Sequence, residues 1–169
     1  MKRTVNRTVL LGLLILSLCL PLVLNACTGA SEKKRDPYVF LVGKTAIAVD
    51  AEAEPILAAL GTPQAISSKP SCLFGEENDT LYLYHDFTLM LYVRDKVSYV
   101  YQIVLNSDAD GRRTPEGIAV GDSRAAVRER YGEPSAEERG NLRYDAEGMS
   151  LYFFFSGDAV TSIEYRRAE

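Results

Sequence analysis

The sequence predicts an α+β protein in which two tandem units, each a short helix followed by an antiparallel meander, form one antiparallel sheet with the helices on one face. Three observations lead there. The stretch IAVDAEAEPILAALGTP (47–63) aligns without a gap on IAVGDSRAAVRERYGEP (118–134) at an offset of 71 residues. Each stretch is followed by runs rich in Val, Ile, Leu, Tyr and Thr, the composition of strands. Within those runs Tyr84 matches Tyr144, and Leu91-Tyr92 matches Leu151-Tyr152, at an offset of 60. One helix on three strands cannot bury both faces of itself, so tandem units gain a shared core by joining their sheets.

The elements follow in order. YVFLV (38–42) and TAIAV (45–49) flank Gly43-Lys44 and read as two short strands around a tight turn. A helix over about 52–60 comes next, because Pro55 fits only near a helix start and Gly61 with Pro63 ends it. Ile56, Leu57 and Leu60 give that helix an apolar stripe. After a loop rich in Ser, Gly and Asn, LYLYHDFTLMLYVRDKVSYVYQIVL (81–105) is broken at His85-Asp86 and at Arg94-Asp95-Lys96, which predicts three strands. The polar run NSDADGRRTPEG separates the halves. From Ile118 the pattern restarts with a lead-in strand, Asp122 or Ser123 as N-cap, a helix to Tyr131, and Gly132 and Pro134 as the stop. LRYD, MSLYFFF and AVTSIEYR then supply three more strands. The first unit spans 38–105, the connecting loop 106–117 and the second unit 118–166.

The N-terminus is read separately. Lys2, Arg3 and Arg7 precede an apolar run from Val9 to Leu24, and Asn25-Ala26-Cys27 follows. A basic start, a short apolar middle and a small residue before a cut describe a secretory signal over residues 1–26. Leu24-Asn25-Ala26-Cys27 resembles the lipobox of bacterial lipoproteins, and that resemblance implies a diacylglyceryl group on Cys27. An uncleaved membrane anchor and ordinary secretory cleavage are the alternatives. The run is barely long enough to span a bilayer, which takes ~20 residues, and it carries Pro21. Lipid chains contribute ~0.8 kcal/mol per buried methylene, so a doubly acylated Cys27 would hold the protein at the membrane. The expected location is extracytoplasmic, on the outer face of the plasma membrane, or at the outer membrane in a Gram-negative cell. Residues 27–37, polar and closed by Pro37, read as a lipidated Cys and flexible tether.

Composition narrows the partners. The 169 residues carry 19 Lys plus Arg against 23 Asp plus Glu, for a net charge of −4, and the leader holds three of the bases and none of the acids. Nucleic acid is excluded as a main partner, since it rewards clustered positive charge. With Cys19 in the leader and Cys27 taken by lipid, Cys72 has no mate in the chain, and its surroundings, SKPSCLF, offer little to activate a thiolate.

The paired stretches with Ile-Ala-Val, a capped helix and Gly-x-Pro, each before a meander, resemble the repeats of the beta-lactamase inhibitor protein fold and of the SmpA/OmlA (BamE-like) envelope lipoproteins. PSCLFGEENDTLYLYHDFTLMLY with TPEGIAVGDSRAAVRERYG is similar to a group of lipoproteins from Gram-positive anaerobes. The resemblance covers roughly 38–166 and implies fold rather than activity. Inhibitor-like proteins bind a protein on the concave face of their sheet, and BamE-like ones serve envelope assembly. This chain departs from the inhibitors in having no Trp and no pair of Cys to staple its helices.

Catalytic and metal chemistry has little to draw on. NSDADG (106–111) begins like a calcium loop, but its twelfth position is Gly117, and Arg112-Arg113 stands where the cation would need acids. His85, the single histidine, sits beside Asp86 at a strand-turn junction and reads as a turn residue bonded to its neighbour. Glu76-Glu77 and Glu137-Glu138 read as solvated loop pairs. No catalytic residue, metal site or cofactor is expected. The remaining feature is aromatic. Tyr82 with Tyr84, and Tyr99 with Tyr101, lie at a spacing of two and share strand faces, a pattern suited to protein recognition. Against it, Tyr is a good strand residue, and a strict alternation also places Val97, Ile103 and Leu105 with Tyr99 and Tyr101, which favours burial of part of that row. The expectation is a membrane-tethered, non-catalytic module that binds an envelope or secreted protein through Tyr82, Tyr84, Tyr99 and Tyr101. A sensor or carrier of a small ligand or peptide is second, and an envelope hydrolase third.

Overall fold

A computed structural model describes residues 35–71, 78–106 and 111–168. The leader, Cys27, the tether up to residue 34, Cys72, Glu76-Glu77 and the centre of the NSDADG run lie outside the described residues.

Two strands, β1 (Val39–Val42) and β2 (Thr45–Ala48), form a hairpin of their own, and α1 (Ala53–Leu60) follows. A meander of four strands comes next: β3 (Ala65–Pro70), β4 (Asn78–Leu83), β5 (Thr88–Arg94) and β6 (Val97–Leu105). After the connection come α2 (Arg124–Tyr131) and a second meander, β7 (Ala136–Glu138), β8 (Asn141–Ala146), β9 (Met149–Ser156) and β10 (Ala159–Arg167). The two meanders join through β6 and β10 into one eight-stranded antiparallel sheet, in the order β3-β4-β5-β6-β10-β9-β8-β7. The protein is therefore α+β, mainly antiparallel sheet with two short helices.

Three expectations need correction. Each meander has four strands rather than three, because β3 and β7 occupy stretches read as loop. AISSKP carries no apolar alternation, and every residue of β3 is exposed, so the outer position in the sheet leaves no burial pattern to read. The first two strands are not part of the main sheet. The lead-in strand expected at Ile118 is absent; in its place Ala119 makes a single bridge to Arg113, and Thr114 and Ile118 close a turn.

One core holds these elements together. Phe40 and Ile47 from the hairpin, Ala53 and Ile56 from α1, and Val127 and Tyr131 from α2 pack with Leu89, Leu91, Ile103, Leu105, Leu151, Phe153, Ile163 and Tyr165 from the sheet. Both helices thus lie on the sheet face that carries those strand residues. Each helix ends at a glycine, Gly61 at φ 76, ψ −158 and Gly132 at φ 78, ψ −154, a conformation essentially closed to residues with a Cβ. Pro55 stands in the first turn of α1, where a missing N–H costs no intrahelical bond.

Backbone contacts recur at the same two spacings as the sequence. The Asp50 amide donates to Val100 O and the Val100 amide to Ala51 O; the Gly121 amide donates to Val160 O and the Val160 amide to Asp122 O. The Gln64 amide donates to Leu83 O, and the Ser135 amide to Arg143 O. Tyr101 is an extra residue in β6, between the pairs Met90 with Gln102 and Leu91 with Val100. Thr161 is likewise extra in β10, between the pairs Val160 with Phe155 and Ser162 with Phe154.

Candidate binding surface on the open sheet face

The bulge at Tyr101 decides which side chains meet solvent. It interrupts the alternation of β6, so Val100, Ile103 and Leu105 go to the core while Tyr99 and Tyr101 go to the opposite face. That face is not part of the main core, and among the described residues no helix packs on it.

From β5 to β8 the open face is lined by rings and guanidinium groups. Tyr92 lies 5.7 Å from Tyr99 and 6.3 Å from Tyr101, centroid to centroid. Tyr152 and Phe154 stack at 6.0 Å with their planes 18° apart. Arg94 lies over the Tyr99 ring at 4.4 Å, and Arg166 over the Tyr152 ring at 4.9 Å, distances at which the ring quadrupole attracts a cation. Between the two aromatic groups, Gln102 donates to Glu164 at 2.7 Å, and Arg166 is ion-paired to the same carboxylate. Arg143 pairs with Glu138 at 2.8 Å further along. Tyr99, Tyr101, Tyr152, Phe154 and Arg166 are all half-buried, as side chains standing side by side on an uncovered sheet must be.

Tyr92 is the exception on this face, at 1% exposure. Its hydroxyl donates to Asp50 Oδ1 at 2.7 Å, and Asp50 also accepts from Arg167 at 2.9 Å. Burial, followed by the hydrogen bond to the Asp50 carboxylate, raises its phenol above the ordinary tyrosine value. This cluster ties the chain between β2 and α1 to β5 and to the end of β10.

The four tyrosines named from the sequence do not form one surface. Tyr99 and Tyr101 stand on the open face. Tyr84 is in the core at 8% exposure, stacked on Phe87 at 4.7 Å, and Tyr82 packs against the core from the same side. The reason is register: Tyr82 pairs with Leu89, a core residue, so both point to the helix side. Tyr152, Phe154 and Arg166 were missed. The alternation within MSLYFFF and SIEYRR contains them, but a run of three Phe hides which ones face outward.

The other candidates resolve as follows. Asp86, beside His85, is buried and accepts from Arg112. Glu137 and Glu138 are strand residues with partners rather than loop charges, Glu137 accepting from Arg128 at 2.7 Å and Glu138 from Arg143. Among the described residues no group of three or more His, Cys, Asp or Glu is arranged to hold a metal ion, and no helix is long and apolar enough to cross a membrane. The chain matches no protein-family model, no curated protein and no solved structure.

Proposed function

We propose that this chain is a lipid-anchored, extracytoplasmic, non-catalytic protein that binds another envelope or secreted protein on the open face of its sheet. The observation that carries the reading is the row of half-buried rings and arginines from Tyr99 and Tyr101 through Arg166 to Tyr152 and Phe154. Aromatic and Arg side chains give large contact area with few freely rotating bonds, which is why they concentrate at protein interfaces. Their mutual stacking lowers the ordering cost of binding further.

The tandem arrangement belongs to the same proposal. Support comes from helices and cap glycines 71 residues apart, from bulges at Tyr101 and Thr161, 60 apart, and from the matching bonds at Asp50 and Gly121. Two copies of one unit, each with an edge that pairs with the other, would produce this sheet order. The likeness to the beta-lactamase inhibitor protein fold and BamE-like lipoproteins is likewise a proposal, supported by the sequence pattern. Anchoring rests on Leu24-Asn25-Ala26-Cys27 at the end of the apolar run.

Capture from solubilised envelope and culture medium tests the binding claim. The bait is residues 28–169, beside a variant with Tyr99, Tyr101, Tyr152 and Phe154 changed to Ser and shown to be folded by circular dichroism. A partner held by the native bait and lost by the folded variant supports the open face; a partner held equally by both excludes it. Metabolic labelling with a fatty acid, compared with Cys27→Ser, tests the anchor, and label that persists in the variant would overturn it.

A further inference from the structure

A separate feature lies on the other side of the sheet. Between the end of α1 and the turn after β4 is an open cavity of about 290 Å³, lined by Leu60, Thr62, Gln64, Tyr84, Phe87 and Arg112, with Asp86 and His85 beside them. The turn itself is tight, with the Tyr84 amide donating to Phe87 O at 2.9 Å.

Arg112 brings donors without acceptors among the described residues to its wall. The Arg112 side chain is 22% exposed, with its guanidinium 5.8 Å from the ring centroids of Phe40 and of Phe87. Its Nε donates to the buried Asp86, while Nη1 and Nη2 have no acceptor among the described residues. Tyr84, at 8% exposure, contributes its ring to the wall, its hydroxyl being buried away from the open space. The Nη groups of the partly exposed Arg112 are therefore open to an acceptor that enters the pocket.

The second half of the molecule supplies a contrast. Tyr144, 60 residues on, donates its hydroxyl to Gly132 O at 3.1 Å, and Tyr131 packs on it at 5.3 Å. Where α2 ends in Tyr131, α1 ends in Leu60, a smaller side chain. The space that Tyr131 fills beside Tyr144 is left as a cavity beside Tyr84.

We infer that this cavity binds a small monocarboxylate with an apolar body, the free carboxyl end of an amino acid or short peptide. The planar fork of Arg112 matches a carboxylate, whose oxygens accept from its Nη groups. Leu60 and Phe87 face the apolar part, and Thr62 and Gln64 offer polar contacts to an amide. Asp86 already balances the charge of Arg112, so a single negative charge suits the site better than the double charge of phosphate. The volume sits at the lower end of ligand cavities, ~300–1,000 Å³, which limits the occupant to about one residue.

This inference does not depend on the open sheet face. Calorimetry on the full chain in detergent compares N-acetyl-L-leucine, leucine, leucinamide and inorganic phosphate. N-acetyl-L-leucine should bind and leucinamide and phosphate should not; leucine binding as well identifies free amino acids as occupants, and its failure to bind restricts them to peptide termini. Arg112→Lys keeps the charge beside Asp86 but loses the planar fork, and should weaken N-acetyl-L-leucine by about tenfold. Leu60→Tyr, which copies the other half, should abolish binding without lowering the melting temperature. Equal binding of leucinamide, tighter binding of phosphate, absence of any carboxylate binding, or unchanged affinity in a folded Leu60→Tyr variant would each overturn the assignment.

Discussion

The two helix-bearing halves have several backbone bonds at corresponding places and differ in how they fill the space under the helix. In the second half Tyr131, Tyr144 and Phe153 form a closed aromatic group, with centroids 5.0 to 5.9 Å apart. The first half has Leu60, Tyr84 and Leu89 at the matching positions, and Tyr84 turns to Phe87 instead. The same main-chain frame therefore supports a sealed core on one side and a cavity with a buried ion pair on the other. Backbone pairing fixes the frame, and side-chain volume fixes what is left inside it.

The largest effect should come from breaking the aromatic group. Phe153 is fully buried, so Phe153→Ala should cost about 3–5 kcal/mol in denaturant unfolding. Leu89, its counterpart by strand pairing, is also fully buried but smaller, and Leu89→Ala should cost less, about 2–3 kcal/mol. Equal costs would mean that the two halves are packed alike and that the contrast is wrong.

Alkaline titration sharpens the same comparison. Burial holds the phenols of Tyr131 and Tyr165 well above the ordinary tyrosine value, and for Tyr131 the neighbouring Tyr165 and Glu116 add to the effect. A group whose folded pKa is raised contributes its full stability below the unfolded pKa, ~10 for tyrosine, and loses it as pH rises beyond. Unfolding free energy should thus be flat in this respect up to about pH 10 and then fall, by up to ~1.4 kcal/mol per pH unit for each such phenol. Tyr131→Leu, which imports the residue of the first half, should make that fall shallower. An unchanged slope would show that Tyr131 ionises in the folded protein.

Much of this was legible in the sequence and some could not have been. Gly61 with Pro63 and Gly132 with Pro134 mark the helix ends within a residue, because few residues besides glycine tolerate those dihedrals. The turns at Gly43-Lys44 and Asp95-Lys96 bound their strands equally well. Edge strands β3 and β7 were invisible, since exposed strands need no apolar residues. That Ile103 and Leu105 part from Tyr99 and Tyr101 was equally hidden: alternation is reliable only up to a bulge, and nothing in VSYVYQIVL announces the extra residue at Tyr101. The cavity was hidden too, because it depends on Arg112, 26 residues beyond Asp86, reaching back to a turn that local reading treats as self-contained.

The smallest expected difference lies at the starts of the helices, where the halves use different chemistry for the same orphan donors. Ser123 caps α2, its Oγ accepting from the Ala126 amide at 3.2 Å, and Asp122 is left to accept from the Ala119 amide at 2.9 Å. The equivalent residue before α1 is Glu52, which makes no side-chain cap bond. Ser123→Ala should therefore destabilise the protein by about 1 kcal/mol, and Glu52→Ser should stabilise it by roughly 0.5–1 kcal/mol, because the backbone at Glu52 is already extended, at φ −60, ψ 132. Urea titration of both variants and of the double variant gives the two terms separately, and they should add, since the caps share no partner. If Glu52→Ser gains nothing while Ser123→Ala loses the full amount, the two helix starts are not interchangeable, and the match between the halves ends at the backbone.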